Sequence, residues 1–541
     1  MPHVQAMPAD PWLPVRRHWD RTRSSRRSTP RARDHPCTWC VLAAGLTLAA
    51  VDHLPAFAAN HFVLARSPKV GRHSLLDGLF GASNEPEPPS SLVAPPSWED
   101  LQSKLADAST PEELGALAEV EAGRGPLRAD RSKVRLFGAV GPPEVRVRLY
   151  RDDASWCPYC EKVQLALEEK QVPYFISKVN MNCYGDKPFD FLAKNPMGLL
   201  PVAEIDGQLI TESNSILDIL EAKFPARSLV PAGRESEVNS LLRLERRLFS
   251  SWFSWLRSPG NDDGNRRFFL EDLDVVEQQL KKSGGPYFLG ASFSMVECHF
   301  ASFLERMAAS LAYFKGFKMR HNPDYPCLEA WFAAMEKLDS YRALASDFYT
   351  HAHDLPPQVG GCADNGKNEE LRCEIDGVTV DGKDADSWRL PLPVDVPPTP
   401  LQPLLENTAE EAEAARREAA RKLLGNRAAV VKFCLRGRGQ RGFPPVGAPL
   451  SDPRASPSGD GQLSASVDEA LRSIAAHLLS GGGEAVLAEG VGPEAWRRRG
   501  DMEACLGYLR DRIGVPRDMS FPAARQFRAH INSYIEAVGT A

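Results

Sequence analysis

A chain of 541 residues has room for roughly three or four domains of about 150 residues each. Its 43% hydrophobic and 25% charged residues are the proportions of a globular protein. The net charge of −6 excludes the overall basic surplus typical of nucleic-acid-binding proteins, and 11 cysteines are too dilute for a disulfide scaffold. No apolar run approaches the roughly 20 residues of a membrane-spanning helix. These figures exclude collagen, coiled coils, polytopic membrane proteins and secreted miniproteins.

Residues 1–96 have the composition of a targeting presequence that ends in a Pro-rich linker. Eight arginines and a single acid over residues 16–33 precede a 12-residue apolar run, 40–51, and Ala56-Phe57-Ala58 then has the form of a signal-peptidase site. Residues 60–83 are again poor in acids, as in a transit peptide. We therefore expect a bipartite presequence that directs the chain to a plastid. Another organelle, secretion, or an untargeted disordered tail in the cytoplasm are the alternatives.

Two regions carry no recognisable chemistry. Residues 97–142 predict a short helical lead-in, and residues 360–541 predict a loop-rich segment followed by a helical extension. The elements predicted for the extension are a hairpin around Asp376-Gly377, a helix over 407–424 that ends at Gly425, a strand-like run over 428–435, and helices over 467–480, 494–513 and 520–538. The extension contains no metal-ligand cluster, phosphate-binding loop or catalytic triad pattern. Docking of another protein is the role we keep open for it.

Residues 143–226 show the order strand, helix, strand, hairpin, helix, which is typical of an α/β thioredoxin-like domain. The predicted elements are strands over 145–150 and 172–179, helices over 161–170 and 213–224, and a hairpin turn at Asp206-Gly207.

Cys157 lies where the first of these strands ends and the first helix begins. Free backbone N–H groups and the positive end of the helix dipole face its sulfur, and both favour the nucleophilic thiolate. Cys160 follows on the same helix face, close enough to attack a mixed disulfide on Cys157. A buried structural pair or half of a zinc site are the alternatives. The second close pair that zinc would require, Cys37 and Cys40, falls in the predicted presequence, so we expect thiol chemistry and no metal.

Three motifs resemble the glutathione transferase superfamily in order and spacing. They are Trp156-Cys157-Pro158-Tyr159-Cys160, then residues 194–202 (Lys-Asn-Pro-Met-Gly-Leu-Leu-Pro-Val), then Thr211-Glu212-Ser213. The nearest classes are omega and the dehydroascorbate reductases, which use a cysteine nucleophile. The resemblance covers about residues 145–349 and extends to a plastid form with a C-terminal extension. It implies a thioredoxin-like domain, an all-α C-terminal domain over 235–350, and glutathione as co-substrate.

The resemblance also implies roles for individual residues. Pro201 matches the family's cis-proline, which would let the backbone of Leu200 pair with the cysteine unit of glutathione. Glu212 and Ser213 match the pair that binds the γ-glutamyl end, although they are also suited to capping a helix. Lys187 falls where omega-type proteins carry a lysine near the glycine carboxylate, although a solvated charge is the simpler alternative.

Cys157 would form the mixed disulfide with glutathione. Cys160 departs from the omega and dehydroascorbate reductase pattern, which has no cysteine at this place, and makes the site resemble a dithiol glutaredoxin. Either a second glutathione or Cys160 would then release the mixed disulfide.

Residues 235–350 read as wholly helical. A long amphipathic helix contains Trp252 and Trp255, which would either pack in the core or line an acceptor pocket beside Cys157. Ser294 and Glu297 form a capping box at the start of a later helix.

These inferences predict a glutathione-dependent thiol transferase or reductase that acts on dehydroascorbate, small disulfides or glutathionylated proteins. A glutathione transferase that conjugates electrophiles, and a non-catalytic protein that binds a ligand or partner, are the alternatives. We expect no nucleic-acid partner and no transmembrane segment, and keep a homodimer open.

Overall fold

The computed structural model describes residues 92–138, 141, 144–378, 388–392, 402, 408–443, 449–481 and 491–540. The apolar run and cleavage motif of the predicted presequence lie outside these ranges. Among the described residues, no helix combines the length and the apolar character needed to cross a bilayer.

A five-stranded mixed sheet forms the centre of the thioredoxin-like part. Its strands are β1 (Val134–Arg135), β2 (Val147–Asp152), β3 (Tyr174–Val179), β4 (Val202–Ile205) and β5 (Gln208–Ile210), in the order β1-β3-β2-β4-β5. β2 pairs with β3 in parallel and with β4 antiparallel, so Leu149 lies between Ile176 and Ala203. The thioredoxin-like fold predicted from the sequence is confirmed. β1 comes from the predicted lead-in and joins the sheet at β3.

Helices account for most of the remaining described chain. Before and around the sheet they are α1 (Trp98–Ala108), α2 (Pro111–Glu121), α3 (Pro158–Glu169), α4 (Phe189–Lys194) and α5 (Ser213–Lys223). The helical domain contains α6 (Glu235–Arg257), α7 (Asp262–Ser283), α8 (Met295–Lys315), α9 (Pro326–Met335), α10 (Asp339–Leu344), α11 (Phe348–Val359) and α12 (Glu369–Ile375). The extension contains α13 (Ala409–Cys434), α14 (Gly461–Ser480), α15 (Pro493–Arg497), α16 (Arg499–Arg510) and α17 (Phe521–Thr540).

Short local signals in the sequence are confirmed. Asp206 and Gly207 both have positive φ (52° and 78°), as a tight hairpin turn between β4 and β5 requires. The Ser294 hydroxyl and the Glu297 carboxylate form the predicted capping box at the start of α8. That helix is buried along nearly its whole length and packs against α3, α6 and α11. It therefore supports the helix that begins at Cys157.

The extension differs from the sequence prediction in three places. α13 continues through Gly425 and through the predicted strand at 428–435. The cost of one helical glycine, about 1 kcal/mol, is offset because Leu423, Leu424 and Val431 are buried in the extension core. Asp376 and Gly377 follow α12 instead of forming a hairpin. The predicted helix over 494–513 is two helices, α15 and α16.

The lead-in helix α1 shares a core with the extension. Leu101 and Leu105 are buried in the same apolar cluster as α13–α17, and the Trp98 indole donates to the Asp468 carboxylate on α14 at 2.8 Å. Segments from the two ends of the described chain therefore form one packed unit.

A buried ion pair joins this unit to the helical domain. Arg528 on α17 pairs with the Asp347 carboxylate, which caps the start of α11, and also donates to the Ile513 carbonyl at 2.7 Å. Its guanidinium lies 4.7 Å and 4.8 Å from the rings of Tyr349 and Trp388.

Candidate functional site

Cys157 is the N-cap residue of α3. Its backbone is extended (φ −78°, ψ 112°), and its sulfur accepts a hydrogen bond from the Cys160 amide at 3.3 Å. Pro158 occupies the first helical position, where no backbone N–H is needed. The sulfur therefore faces an N–H donor at the positive end of the helix dipole. Cys157 is fully buried, so a substrate reaches its sulfur only after neighbouring groups move.

Cys160 is equally buried, but its environment favours the thiol. Burial first, and then the hydrogen bond and negative charge of Cys157, hold the pKa of Cys160 well above its ordinary value. The structure thus brings the two predicted cysteines together, with the Cys157 sulfur accepting from the Cys160 amide and the Cys160 thiol held protonated.

The Asp152 carboxylate lies close to the two thiols, and the Arg151 guanidinium contacts that carboxylate. Donor atoms of Asp152, Cys157 and Cys160 all lie within 4.8 Å of one another. The buried Arg151 guanidinium donates to the Asp152 carboxylate at 3.1 Å and also contacts Gln164. Two sulfurs and a carboxylate are donors that a zinc ion could use, but the adjacent cation opposes a second positive charge. The expectation that no metal is bound stays a prediction.

The residues predicted to hold glutathione lie in two places: Leu200 and Pro201 lie beside Cys157, and Glu212 and Ser213 lie at the start of α5. The Leu200–Pro201 bond is cis, and the Leu200 carbonyl oxygen lies 3.9 Å from the Cys157 sulfur. Glu212 has a positive φ of 64° and its side chain makes no capping hydrogen bond, although it occupies the N-cap position of α5. A left-handed glutamate costs about 1–3 kcal/mol, and such strain concentrates at functional positions. Ser213 opens α5 beside it. Their roles toward glutathione stay predictions.

Lys187 lies in the loop between β3 and α4. Its ammonium donates to the Asn180 carbonyl and lies 5.8 Å from the Phe191 ring. Its stem runs alongside Gly198, in the loop that leads to Leu200. This position is consistent with the predicted role near the glycine carboxylate, which stays a prediction.

Trp252 and Trp255 are buried in the helical domain. The Trp252 indole donates to the Ser310 hydroxyl at 3.0 Å, and the Trp255 indole donates to the Asp262 carboxylate at 2.7 Å. These are the contacts of core residues, and the acceptor-pocket role predicted for both stays a prediction.

An aromatic and basic group nearer to Cys157 was missed by the sequence analysis. Tyr159 is partly exposed and packs edge-to-face on Phe303 at 5.6 Å, which in turn packs on Phe249 at 4.9 Å. The exposed Arg246 guanidinium lies 5.4 Å from the Phe249 ring. Tyr159 was visible in the Cys-Pro-Tyr-Cys motif, but nothing local indicated that α6 would pack beside it.

The buried Lys162 and Glu245 lie close to this group, with the Lys162 ammonium 5.4 Å from the Tyr159 ring. The Lys162 ammonium donates to the Asn214 side chain at 2.6 Å, beside Ser213. Burial lowers the pKa of Lys162 to about 8. Burial also raises the pKa of Glu245 to about 7, against the opposing effect of Arg246 and Lys162. Two groups near the predicted site therefore titrate close to neutral pH.

Trp156, directly before the nucleophile, contacts the extension. Its indole N–H donates to the Val515 carbonyl at 2.9 Å, and the Arg517 guanidinium lies 4.8 Å from its ring. The sequence analysis gave this segment no role in the site.

Comparisons with known proteins identify the family. The model described as "Glutathione S-transferase, N-terminal domain" matches residues 156–223, and "Glutathione S-transferase, C-terminal domain" matches residues 266–334. A probable glutathione S-transferase of Oryza sativa subsp. japonica, "DHAR1, cytosolic", is 33% identical over 188 residues, which cover 80% of that protein and 35% of this chain. The chain belongs to the glutathione S-transferase family.

Relatives of this glutathione transferase fall in the predicted classes. "Glutathione S-transferase DHAR2" of Arabidopsis thaliana is 30% identical over 34% of this chain and 77% of its own length. "Glutathione S-transferase omega-1" of Sus scrofa is 28% identical over 38% of this chain and 83% of its own length. The solved structure of glutathione transferase Omega 3C from Trametes versicolor is 26% identical, with a TM-score of 0.33, over 37% of this chain and 90% of that one.

The two family matches lie between residues 156 and 334, within the sheet-containing part and the helical domain. Neither match includes α1 or α13–α17. The resemblance to omega-class and DHAR glutathione transferases is confirmed by the relatives above, and the extension lies outside the two matched ranges.

Proposed function

We propose that the chain is a glutathione-dependent thiol transferase or reductase in which Cys157 forms a mixed disulfide with glutathione. The observation that carries the proposal is the hydrogen bond from the Cys160 amide to the Cys157 sulfur at the start of α3. The dehydroascorbate reductase and omega relatives support the same reaction class. Dehydroascorbate, small disulfides and glutathionylated proteins are the proposed substrates.

The proposed cycle on a mixed disulfide has two thiol–disulfide exchanges. The Cys157 thiolate attacks the glutathione sulfur, an S–S bond forms, and the substrate thiolate leaves and takes up a proton. The thiolate of a second glutathione then attacks that sulfur, which yields oxidised glutathione and regenerates the Cys157 thiolate. With dehydroascorbate, oxidation of two glutathione molecules supplies the two electrons and two protons that form ascorbate.

We propose that the second glutathione, rather than Cys160, releases the product. In the mixed disulfide Cys157 carries no charge, but Cys160 stays fully buried, and burial is the largest cause of its raised pKa. Cys160 therefore stays a thiol, whereas the attacking species in exchange is a thiolate. Glutathione from solution is under neither constraint. The site then acts as a monothiol enzyme despite its two cysteines.

The test is glutathione-dependent reduction of dehydroascorbate and of a small glutathione mixed disulfide by the full chain. Wild type, Cys157→Ser and Cys160→Ser are compared under the same conditions. We expect Cys157→Ser to remove turnover and Cys160→Ser to retain it. Loss of turnover in Cys160→Ser would show a dithiol mechanism. A wild-type protein that binds glutathione without turning over either substrate would contradict the proposal.

A further inference from the structure

We propose that the extension turn 512–518 holds Trp156, and through it Cys157, in the geometry needed for thiol chemistry. This role for the extension goes beyond the proposed function, although it rests on Cys157 being the reacting thiol. Trp156 and the turn residues would be positioning residues, since none of them reacts.

Trp156 is hydrogen-bonded at each of its polar atoms, and each partner lies on a different part of the fold. Its backbone N–H donates to the Asp152 carboxylate at 2.6 Å, at the end of β2. Its carbonyl accepts from the Arg306 guanidinium on α8 at 2.9 Å. Its indole N–H donates to the Val515 carbonyl at 2.9 Å. The side chain is fully buried, with the Tyr184 ring edge-to-face on the indole at 5.0 Å, and the extension supplies the hydrogen bond to its N–H.

The turn that receives the indole is itself firmly held. The Val515 amide donates to the Thr350 hydroxyl at 3.1 Å, and the Ser346 hydroxyl donates to the Val515 carbonyl. Within the turn, the Gly514 amide donates to the Asp518 carboxylate at 2.8 Å. These hydrogen bonds favour a turn that keeps its position against Trp156 throughout the reaction over a turn that opens during each turnover.

The turn also fits the face of the indole closely. A Cβ added at Gly514 would lie 2.5 Å from the indole Cζ2, so a larger residue cannot occupy this position without displacing the ring. On the ring, the partly exposed Arg517 guanidinium lies at cation–π distance and is oriented by Asp518, the Arg512 carbonyl and the Leu450 carbonyl.

The consequence for Cys157 follows from covalent connection. The Trp156 peptide unit directly precedes Cys157, so a rotation of Trp156 moves the sulfur relative to the Cys160 amide. Misplacement of a reacting group by about 1 Å can lower a rate by roughly 100-fold. The extension would thereby contribute to kcat without contacting glutathione.

The experiment compares four full-length variants with wild type. Trp156→Phe keeps an aromatic ring, smaller than the indole, and removes the N–H donor. Arg517→Leu removes the stacked cation, and Arg517→Lys retains a positive charge. Arg497→Leu is the matched control, because Arg497 lies in the same extension in an exposed ion pair with Glu494. The measurements are kcat and KM for glutathione, the alkylation rate of Cys157 from its peptide mass, and the melting temperature.

We expect Trp156→Phe and Arg517→Leu to lower kcat roughly tenfold at nearly constant KM for glutathione, because only positioning is lost. Arg517→Lys should recover part of the loss, and Arg497→Leu should match wild type. Folded variants with wild-type kcat and alkylation rate would show that the contact is merely structural. Faster alkylation would show that the turn shields the thiol, which also overturns the inference. If the wild type shows no turnover but Cys157 is alkylated more slowly in the variants, the proposed function is contradicted and the positioning role is not.

Discussion

The backbone amide of Cys160 donates a hydrogen bond to the sulfur of Cys157, so the second cysteine of the motif contacts the sulfur of the first through its main chain. The Cys160 thiol receives no comparable help, because burial and the nearby Cys157 raise its pKa well above the ordinary value. The two cysteines, three positions apart, thus lie in different local environments.

The first prediction concerns this difference. In Cys157→Ser, Cys160 should resist alkylation by iodoacetamide at pH 7 to 9, because it remains buried and protonated. Cys183, which is partly exposed, serves as the internal reference in the same protein. Alkylation is followed by the masses of the two peptides. Modification of Cys160 as fast as Cys183 would show that the thiol is accessible and ionised.

The second prediction concerns the pH dependence of stability. The pKa of Glu245 is raised from an ordinary 4.5 to about 7, so over that interval the folded state holds a proton that the unfolded state releases. This group therefore lowers the free energy of unfolding as pH rises from 5 to 7, by on the order of 2 kcal/mol. Glu245→Gln should remove that loss.

Denaturant unfolding of Glu245→Gln and wild type at pH 5, 6 and 7 measures the effect. Glu271→Gln is the control, because Glu271 lies exposed on α7. A constant difference between Glu245→Gln and wild type across the three pH values would show that Glu245 does not titrate in this range.

The third prediction concerns the ion pair between α17 and the start of α11. Arg528→Leu leaves the buried Asp347 carboxylate without its cation, which should lower the free energy of unfolding by about 3–5 kcal/mol. Arg389→Leu breaks an exposed pair with Glu536 and should change it by less than about 1 kcal/mol. If urea unfolding gave the same change in the free energy of unfolding for both variants, the buried pair would contribute no more to stability than the exposed one.

The fourth prediction concerns α1. Leu101→Ala should lower stability by about 2–5 kcal/mol, because Leu101 is fully buried against the extension. Hydrogen exchange should quicken in α13 and α14 and remain unchanged in α8. Leu114→Ala is the control, since Leu114 is half exposed on α2. Faster exchange in α8 alone would contradict the shared core of α1 and the extension.

What the sequence predicted correctly depended on neighbouring residues. The turn at Asp206-Gly207, the capping box of Ser294 and Glu297, and the placement of Cys157 before a helix each involve residues at most three positions apart, so the pattern is visible in a short window. The family motifs were recognised from contiguous runs of three to nine residues and from the order of those runs along the chain.

Contacts between distant parts of the chain were not predictable in this way. The Val515 carbonyl is 359 residues from the Trp156 indole, and no periodic pattern marks either partner. The apolar run at 428–435 was interpreted as a strand because its valines favour strands locally. In the structure this run is helical because a helix buries the side chains on one face of α13 in the extension core. That burial depends on contacts with distant parts of the chain, which a local pattern does not show.

The shared core of α1 and the extension also determines the order in which the chain can fold during synthesis. Trp98 bonds to Asp468, 370 residues later, so α1 leaves the ribosome long before its partner helices are made. At about 5–20 residues per second, Leu101 and Leu105 have no native partner for on the order of 20 seconds or more. The sheet and α6–α12 are complete within that interval. The sheet-containing part and the helical domain can therefore fold first, whereas α1 stays without its native partners until α13 and α14 have been made.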